Sequence, residues 1–305
     1  MYDLIGDLHG HANELKKLLS KLGYTNKDGY WSHPWRKVVF VGDYIDRGPE
    51  IREVLHIVKS MVDSNQAFAV MGNHEYNAIA FSHRLPDGNF LRAHNSVHIR
   101  QHQATIDQFS EYSVEWQQWI DWFYTLPLFL EIDGIRVVHS CWDSNHISWL
   151  KENHGNLLTS KLLLQSHQKE SFEYVVINDI LKGKEIDIPT EFAWHDKDGH
   201  PRTSNRIKWW TDSSESTFGS LLFNCPDGLK NRVMPREHFF NSYPSDAPPV
   251  FFGHYWLEDN FPSIQNSNAV CLDYSVAKGG SLVAYRWSGE STLHQDNFVF
   301  VNTKG

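Results

Sequence analysis

The chain has 305 residues, 41% of them hydrophobic and 21% charged, and its formal net charge is −9. This balance is typical of a globular protein and excludes a disordered chain, while the negative charge argues against nonspecific binding to nucleic acid or anionic membrane. The cysteines, Cys141, Cys225 and Cys271, form no CxxC pattern. We therefore expect a reducing, cytoplasmic location without a disulfide framework. The N-terminus has no signal-peptide pattern, and no apolar run is long enough to span a bilayer.

The first 82 residues predict a repeated strand–loop–helix pattern. Short apolar runs at 2–5, 37–41 and 66–71 indicate buried strands, and helical spacing follows the first two at 12–22 and 50–62. Such crossovers predict a mostly parallel sheet. Ligands of these sheets bind beyond the carboxyl ends of the strands.

The pattern changes after residue 82. Residues 82–124 are polar and rich in histidine and predict helix, and Asp133-Gly134 lies between two apolar runs as a hairpin turn. Four later runs predict strands that close the fold with a second sheet: 250–253, 269–273, 281–287 and 298–301. We expect one domain over 1–305, with cap-like insertions at about 83–125 and 142–248, the latter with helices at 157–165 and 174–181.

Five short segments place Asp, Asn or His at the ends of predicted strands. They are Gly6-Asp-Leu-His-Gly10, Gly42-Asp-Tyr-Ile-Asp-Arg-Gly48, Gly72-Asn-His-Glu75, His139 and Gly253-His254. Carboxylate, amide and imidazole ligands suit divalent metals. Two cations about 3.5–4 Å apart can generate hydroxide at neutral pH and clamp a displacement at phosphorus. The predicted ligands are Asp7 and His9 for a first metal, Asp43 as a bridge, and Asn73, His139 and His254 for a second.

The remaining polar residues of these segments suit proton transfer and phosphate binding. His74 is the predicted general acid, and Asp46 is placed to hold its ring. Arg47 offers a planar fork of donors for phosphate oxygens, beside Asn73. Arg206 is the candidate for a second arginine on the phosphate.

Structural explanations compete with these assignments. Asp and Asn are common as caps and turns, but cap chemistry does not explain the paired Asp-x-His and Asn-His. His94, His98 and His102 recur at helical spacing and predict a solvated or rim-facing stripe, with a third metal site as the alternative. Trp116, Trp119 and Trp122 share a helical face, for which packing is favoured over base stacking.

The motif order resembles that of a known family. GDLHG, GDYIDRGP, GNHE, a strand-terminal His and a later GH are similar to the phosphoprotein phosphatase group of the calcineurin-like metallophosphoesterases. The resemblance implies a four-layer α/β/β/α sandwich with a helical cap insertion, two divalent metals, and the roles above for the motif residues. Manganese is the first expectation, with Fe, Zn, Co or Ni as alternatives. The tail from Phe252 to Trp287 is similar to bacterial symmetrical diadenosine tetraphosphatases, whereas Ser140-Cys141-Trp142 departs from the usual glycine-rich segment.

Three functions follow from these motifs. The first is a dinuclear metal-dependent phosphatase of phosphomonoesters, acting on serine/threonine phosphoproteins with tyrosine as an extension. The second is a symmetrical dinucleoside polyphosphate hydrolase, and the third is a non-catalytic module that binds metal or phosphate. The expected partner is therefore a phosphorylated protein, a small phosphate ester or a nucleotide.

Overall fold

The computed structural model describes residues 1–195, 201–213, 216–240 and 242–303. The first part of the chain alternates strands and helices. In order it contains β1 (Tyr2–Ile5), α1 (Ala12–Lys21), the small hairpin β2 (Thr25–Lys27) and β3 (Tyr30–Ser32), β4 (Lys37–Phe40), α2 (Ile51–Asp63), β5 (Ala67–Ala69) and α3 (Asn73–Ser82). The three predicted strands and two predicted helices of this part therefore form, each within two residues of its expected ends.

The middle part of the chain is mainly helical. It contains α4 (Ser96–Phe109), α5 (Ser113–Phe123), the hairpin β6 (Phe129–Ile132) and β7 (Ile135–Val138), α6 (Ser144–Asn153), α7 (Ser160–Gln165), α8 (Phe172–Lys182), the short strands β8 (Glu185–Asp187), β9 (Trp194–His195), β10 (Pro201–Arg202) and β11 (Ser204–Arg206), and α9 (Phe218–Leu221). Asp133 and Gly134 have φ of 47° and 88°, the left-handed turn that their sequence predicts. Parts of 142–248 lie outside the described residues, and the division into cap-like insertions stays a prediction.

The last strands are β12 (Val250–Phe252), β13 (Ala269–Cys271), β14 (Asp273–Tyr274), β15 (Ser281–Trp287) and β16 (Phe298–Asn302). The prediction that all of them close the fold in a second sheet is wrong for the last three. A six-stranded sheet has the order β14-β15-β1-β4-β5, with β16 on β15. β15 is antiparallel to β1, with Tyr2 opposite Trp287, so the sheet is mixed and only β1, β4 and β5 are parallel to one another. The pairing partner of a strand is a long-range property that its own sequence does not encode.

The second sheet has the order β13-β12-β7-β6. Alternate side chains of the central strands divide between two cores, since successive strand residues point to opposite faces. Leu4 and Val39 face Val137 and Phe251 across the gap between the sheets, whereas their neighbours Ile5, Val38 and Phe40 pack against the helices. This confirms the predicted sandwich of two sheets with outer helices.

Candidate metal centre and adjoining cavity

The loops that follow β1, β4 and β5 are tied together by hydrogen bonds. The backbone N–H groups of Leu8 and His9 donate to the Asp43 carbonyl at 3.0 and 2.8 Å. The buried Glu75 carboxylate accepts from the backbone N–H groups of Gly72, Asp43 and Tyr44 at 2.9, 2.9 and 2.8 Å. Glu75 thus fixes the second and third segments to each other. Glu75 was not among the predicted site residues, although its place at the third position of α3 is typical of a capping box.

Several site residues have backbone angles that side chains rarely adopt. A left-handed conformation at a residue other than glycine costs on the order of 1–3 kcal/mol and persists only where the surroundings enforce it. The angle φ is 41° at His9, 56° at Asp43, 67° at Asp46, 69° at Arg47 and 72° at His254. All five lie in the five segments that the sequence analysis predicts to be functional. The fold therefore holds these side chains in place at a cost in stability.

The structure brings four of the six predicted ligands, together with His74, into two overlapping groups. One contains ligand atoms of His9, Asp43 and His74, and the other contains those of Asp43, His139 and His254, with all atoms of a group within 4.8 Å of one another. Asp43 belongs to both groups, as a bridging carboxylate requires. Asn73 Oδ1 lies 3.1 Å from His139 Nε2, next to the second group.

Asp7 lies against the same centre but belongs to neither group of the described residues. Its carboxylate accepts from the His254 backbone N–H at 3.1 Å. His74, predicted only as an acid, is itself a member of the first group, and its Nε2 lies 3.9 Å from Asp43 Oδ2.

The histidine rings are oriented by backbone carbonyls. Nδ1 of His9 donates to the Ile45 carbonyl at 2.9 Å, and Nδ1 of His139 donates to the Val41 carbonyl at 2.8 Å. Such a bond fixes the tautomer and leaves Nε2 with a lone pair for a cation. The Nε2 atom of His9 and both ring nitrogens of His254 are buried and accept no hydrogen bond from the described residues.

The buried carboxylates at the centre favour the binding of cations. Asp7, Asp43, Glu75 and Asp273 are buried side by side, and the pKa of Asp7 is raised by burial and then by the charges of Asp273 and Asp43. Glycine is required at position 253, because a Cβ there would lie 1.9 Å from Asp7 Oδ1. Clustered carboxylates beside unpartnered imidazole nitrogens are the donor set of divalent metals. The residues therefore fit two divalent cations.

His74 and Asp46 form a buried pair at the edge of this centre. His74 Nδ1 donates to Asp46 Oδ2 at 2.5 Å. Burial opposes a charged His74 ring, but the Asp43 and Asp46 carboxylates outweigh it and raise its pKa. The other oxygen of Asp46 accepts from His102 Nδ1 at 2.7 Å and from Thr105 Oγ1 at 2.6 Å. Four polar groups thus hold one another in a chain that ends at His74 Nε2.

His102 and Thr105 are residues that the sequence reasoning missed. The predicted solvated or rim-facing histidine stripe does not form as one helix face, because α4 begins at Ser96 and leaves His94 outside it, and His102 is buried. His98 and His102 do line the adjoining cavity. The spacing of one helical turn between His102 and Thr105 indicated a shared face, but only the docking of α4 on Asp46 reveals its use. Trp119 and Trp122 are buried in the core, as predicted for a packing face.

A cavity of about 910 Å³ opens from the metal centre. Arg47 lies at its mouth, exposed, with its guanidinium 4.1 Å from the centre of the Trp256 ring. Arg206 also lines the cavity, and its Nε is buried with no hydrogen-bond partner among the described residues. The pKa of His254 is lowered by burial and then by Arg206, which shows how near this arginine is to the centre. The predicted second arginine therefore lies beside the metal centre.

The comparisons with known proteins agree with this geometry. Residues 2–255 match the family model described as calcineurin-like phosphoesterase. The chain therefore belongs to the calcineurin-like phosphoesterase family, as its motif order predicted. Over 142 residues it is 34% identical to a protein of Oceanobacillus iheyensis named bis(5'-nucleosyl)-tetraphosphatase PrpE [asymmetrical], which is 45% of this chain and 53% of that protein. A protein of Halalkalibacterium halodurans with the same name is 49% identical over 74 residues, 24% of this chain and 30% of the relative.

The chain thus spans about half or less of the length of these curated relatives. Among solved structures, a protein serine/threonine phosphatase from Saccharomyces cerevisiae superposes with a TM-score of 0.51 at 14% identity, over 99% of this chain and 78% of that one. At this identity the likeness concerns the fold alone. None of the helices in the described ranges is long and apolar enough to cross a membrane.

Proposed function

We propose that this protein hydrolyses a phosphoanhydride bond in a nucleoside polyphosphate, with a dinucleoside tetraphosphate as the first substrate to test. The charge of the cavity is the observation that carries this proposal. Six basic side chains of the described residues line it against three acidic ones, Asp46, Asp107 and Glu185, although the whole chain carries a charge of −9. The basic residues are Arg47, Arg92, Arg100, Lys182, Arg202 and Arg206.

This concentration of cations exceeds what one phosphate needs. A monoester phosphate carries at most two negative charges near neutral pH, and Arg47 and Arg206 beside the metal centre can hold it. Arg92 and Lys182 lie elsewhere on the wall: Arg92 donates to Asn77 Oδ1 at 3.1 Å, and Lys182 to Asn178 Oδ1 at 2.9 Å. Burial and the nearby Arg92 lower the pKa of Lys182 to about 8. Two cations held close together in this way suit a further phosphate group.

The side chains divide the chemistry between them. Two divalent cations, when bound by Asp7, His9, Asp43, Asn73, His139 and His254, supply Lewis acidity and a water of lowered pKa. Arg47 and Arg206 orient the attacked phosphate through charge-assisted hydrogen bonds. His74, held through Nδ1 by Asp46, presents Nε2 to give a proton to the leaving oxygen. We propose manganese as the metal.

The names of the relatives support this choice of substrate. The curated proteins from Oceanobacillus iheyensis and Halalkalibacterium halodurans are named as asymmetrical bis(5'-nucleosyl)-tetraphosphatases. The tail from Phe252 to Trp287, in contrast, is similar to symmetrical diadenosine tetraphosphatases. The two cleavage patterns give different products, so the assay below distinguishes them.

A phosphoprotein phosphatase is the second candidate. The exposed position of Arg47 at the mouth of the cavity favours it, because a phosphorylated side chain on a large substrate can reach this arginine from solvent. The same His74 and Asp46 pair would then protonate a serine or threonine alkoxide, with phosphotyrosine as an extension. A cytoplasmic location is proposed with either function, on the ground that all three cysteines are unpaired thiols.

The test is a substrate panel on manganese-loaded protein: diadenosine tetraphosphate, a phosphoserine peptide and a phosphotyrosine peptide. We expect the dinucleotide to have the highest kcat/KM, with two ADP from symmetrical cleavage or ATP and AMP from asymmetrical cleavage. Lys182→Gln should raise the KM for the dinucleotide about tenfold while leaving the KM for the peptides unchanged. Lys151→Gln, a surface lysine paired with Glu131 outside the cavity, is the matched control. A higher kcat/KM for a phosphopeptide would refute the proposal in favour of the second candidate.

A further inference from the structure

Beside the basic cavity lies a slot formed by two phenylalanines. Phe81 is in the last turn of α3, and Phe90 is on the connection to α4. The ring of His94 lies between them, with its centroid 3.7 Å from that of Phe81 and 3.8 Å from that of Phe90, at interplanar angles of 16° and 12°. The two phenylalanines are therefore separated by the thickness of one planar aromatic ring, and a nitrogen heterocycle already fills the gap.

This stack is at the surface and is not part of the core. His94 is exposed, and its Nε2 donates to the Phe81 carbonyl at 2.8 Å. The guanidinium of Arg84, also exposed, lies 5.0 Å from the centre of the Phe90 ring. Because stacking holds His94 between the two phenylalanines, another planar ring can replace it by making the same stacking contacts.

The slot adjoins the proposed phosphate site. A second cavity of about 280 Å³, lined by Phe81, Phe90, His94 and Trp116, shares Phe81 and His102 with the larger basic cavity. Ser82 and Ser113 also line it and offer hydroxyl groups to the edge of a ring. The two cavities are therefore neighbours, as the binding of one molecule with an anionic end and a planar aromatic end would require.

The distance along α3 selects among such molecules. His74 and Phe81 are both in this helix, seven residues apart, which corresponds to about 10 Å of helical rise. In an aryl phosphate the ring is bonded to the phosphate through a single oxygen and cannot reach so far. In a nucleoside polyphosphate the sugar and further phosphates separate the base from the attacked phosphorus by such a span.

We propose that the slot between Phe81 and Phe90 binds the nucleobase of the substrate, and that the base replaces His94 between the two rings. This inference rests on the proposed function, since it names the part of the nucleoside polyphosphate that the slot recognises. His94 lies between the two rings in this structure and would move towards solvent when the base enters. The base then stacks on both phenylalanine rings while Arg92 and Lys182 hold the phosphate chain.

The experiment measures nucleotide and base-free ligands side by side. Binding of ADP and of pyrophosphate to the manganese-loaded protein is followed by calorimetry, and hydrolysis of diadenosine tetraphosphate is compared with that of inorganic tripolyphosphate. Phe90→Ala should weaken ADP binding and raise the dinucleotide KM about tenfold or more, the scale of one base stacked on aromatic side chains. Binding of pyrophosphate and hydrolysis of tripolyphosphate should stay unchanged. Phe261→Ala, at a phenylalanine that is 73% exposed and far along the chain from the slot, is the matched control.

A second variant tests the exchange of rings. His94→Ala removes the residue that the base must displace, so ADP should bind more tightly, by about threefold or more, with pyrophosphate again unchanged. If His94 only stabilises the fold, His94→Ala will lower the melting temperature without strengthening ADP binding, which would overturn the inference.

The failure of the slot and the failure of the proposed function give different results. Equal effects of Phe90→Ala on ADP and pyrophosphate, or no effect on either, would overturn the slot while wild-type cleavage of the dinucleotide still supports the function. A wild type that cleaves no polyphosphate would overturn the proposed function. In that case a preference for ADP over pyrophosphate that Phe90→Ala abolishes would still support the slot, and the absence of that preference would overturn it.

Discussion

Thr105→Val is the most direct test of how Asp46 is held. The hydroxyl of Thr105 donates to Asp46 Oδ1 at 2.6 Å and accepts from the Asp46 backbone N–H at 3.1 Å. Both residues are buried, with exposed fractions of 1% and 3%. Valine has nearly the same shape as threonine, so the substitution removes these two hydrogen bonds and changes the packing little.

The magnitude follows from the two bonds. A hydrogen bond to a charged group contributes about 1.5–3 kcal/mol, and a buried N–H left without a partner costs about 1–3 kcal/mol. Since the two losses share one site and partly relax together, we expect the free energy of unfolding to fall by about 2–4 kcal/mol. His102 continues to hold Asp46, so the alignment of His74 should loosen without being lost. A tenfold decrease in kcat corresponds to about 1.4 kcal/mol and is the expected scale.

The assay combines urea unfolding with steady-state kinetics on the best substrate of the panel. Thr105→Ser keeps the hydroxyl and should restore most of kcat. Thr25→Val, at an exposed threonine in the β2–β3 hairpin, controls for the change of side-chain type. If Thr105→Val leaves both the free energy of unfolding and kcat at wild-type values, the hydroxyl does not hold Asp46 and our account of this network is wrong.

Three further predictions concern the same centre. Removal of divalent metal with EDTA should abolish hydrolysis and lower the melting temperature, because the buried Asp7, Asp43 and Asp273 then repel one another; manganese should restore both, and a melting temperature that is independent of metal would contradict the site. Raising the pH from 7 to 9 should increase the KM for the dinucleotide, because Lys182, with its pKa near 8 beside Arg92 and Glu185, is charged below this value and neutral above it. The KM of Lys182→Arg should stay flat over this interval, and a similar rise in that variant would exclude Lys182 as the cause. His74→Asn should lower kcat by about 10²–10⁴ for an alkyl phosphate and much less for p-nitrophenyl phosphate, whose leaving group needs no proton; equal losses on both would remove His74 as the acid.

Much of the fold was predictable because its strands and helices follow from the local periodicity of hydrophobic residues. The apolar runs that form β1 and β4 alternate between two buried faces, and helical spacing marks α1 and α2. Asp133 and Gly134 carry the left-handed turn that their residue types favour. That the predicted ligands lie close together was predictable for a related reason. Parallel strands bring their carboxyl ends to one edge of the sheet, whatever the order of the strands.

Partners from distant parts of the chain were not predictable. β15 could have joined either sheet, since its apolar pattern fits any buried neighbour, and only the structure pairs it with β1. The roles of Glu75, His102 and Thr105 depend on how α3 and α4 dock against the Asp43 and Asp46 loops. A histidine on a helix has the same local signal whether it faces solvent or a buried carboxylate.

By itself, therefore, the sequence determined the candidate metal centre: short motifs at strand ends, whose donor atoms and left-handed turns are local properties. The tertiary structure decided what surrounds that centre. It gathered Arg92, Lys182 and Arg206, from separate segments, into one basic cavity within a chain that is acidic overall, and it set Phe81 and Phe90 on either side of His94. The physical reason is that the function of a charged or aromatic side chain depends on its neighbours in space, and those neighbours are fixed only when the helices and strands pack.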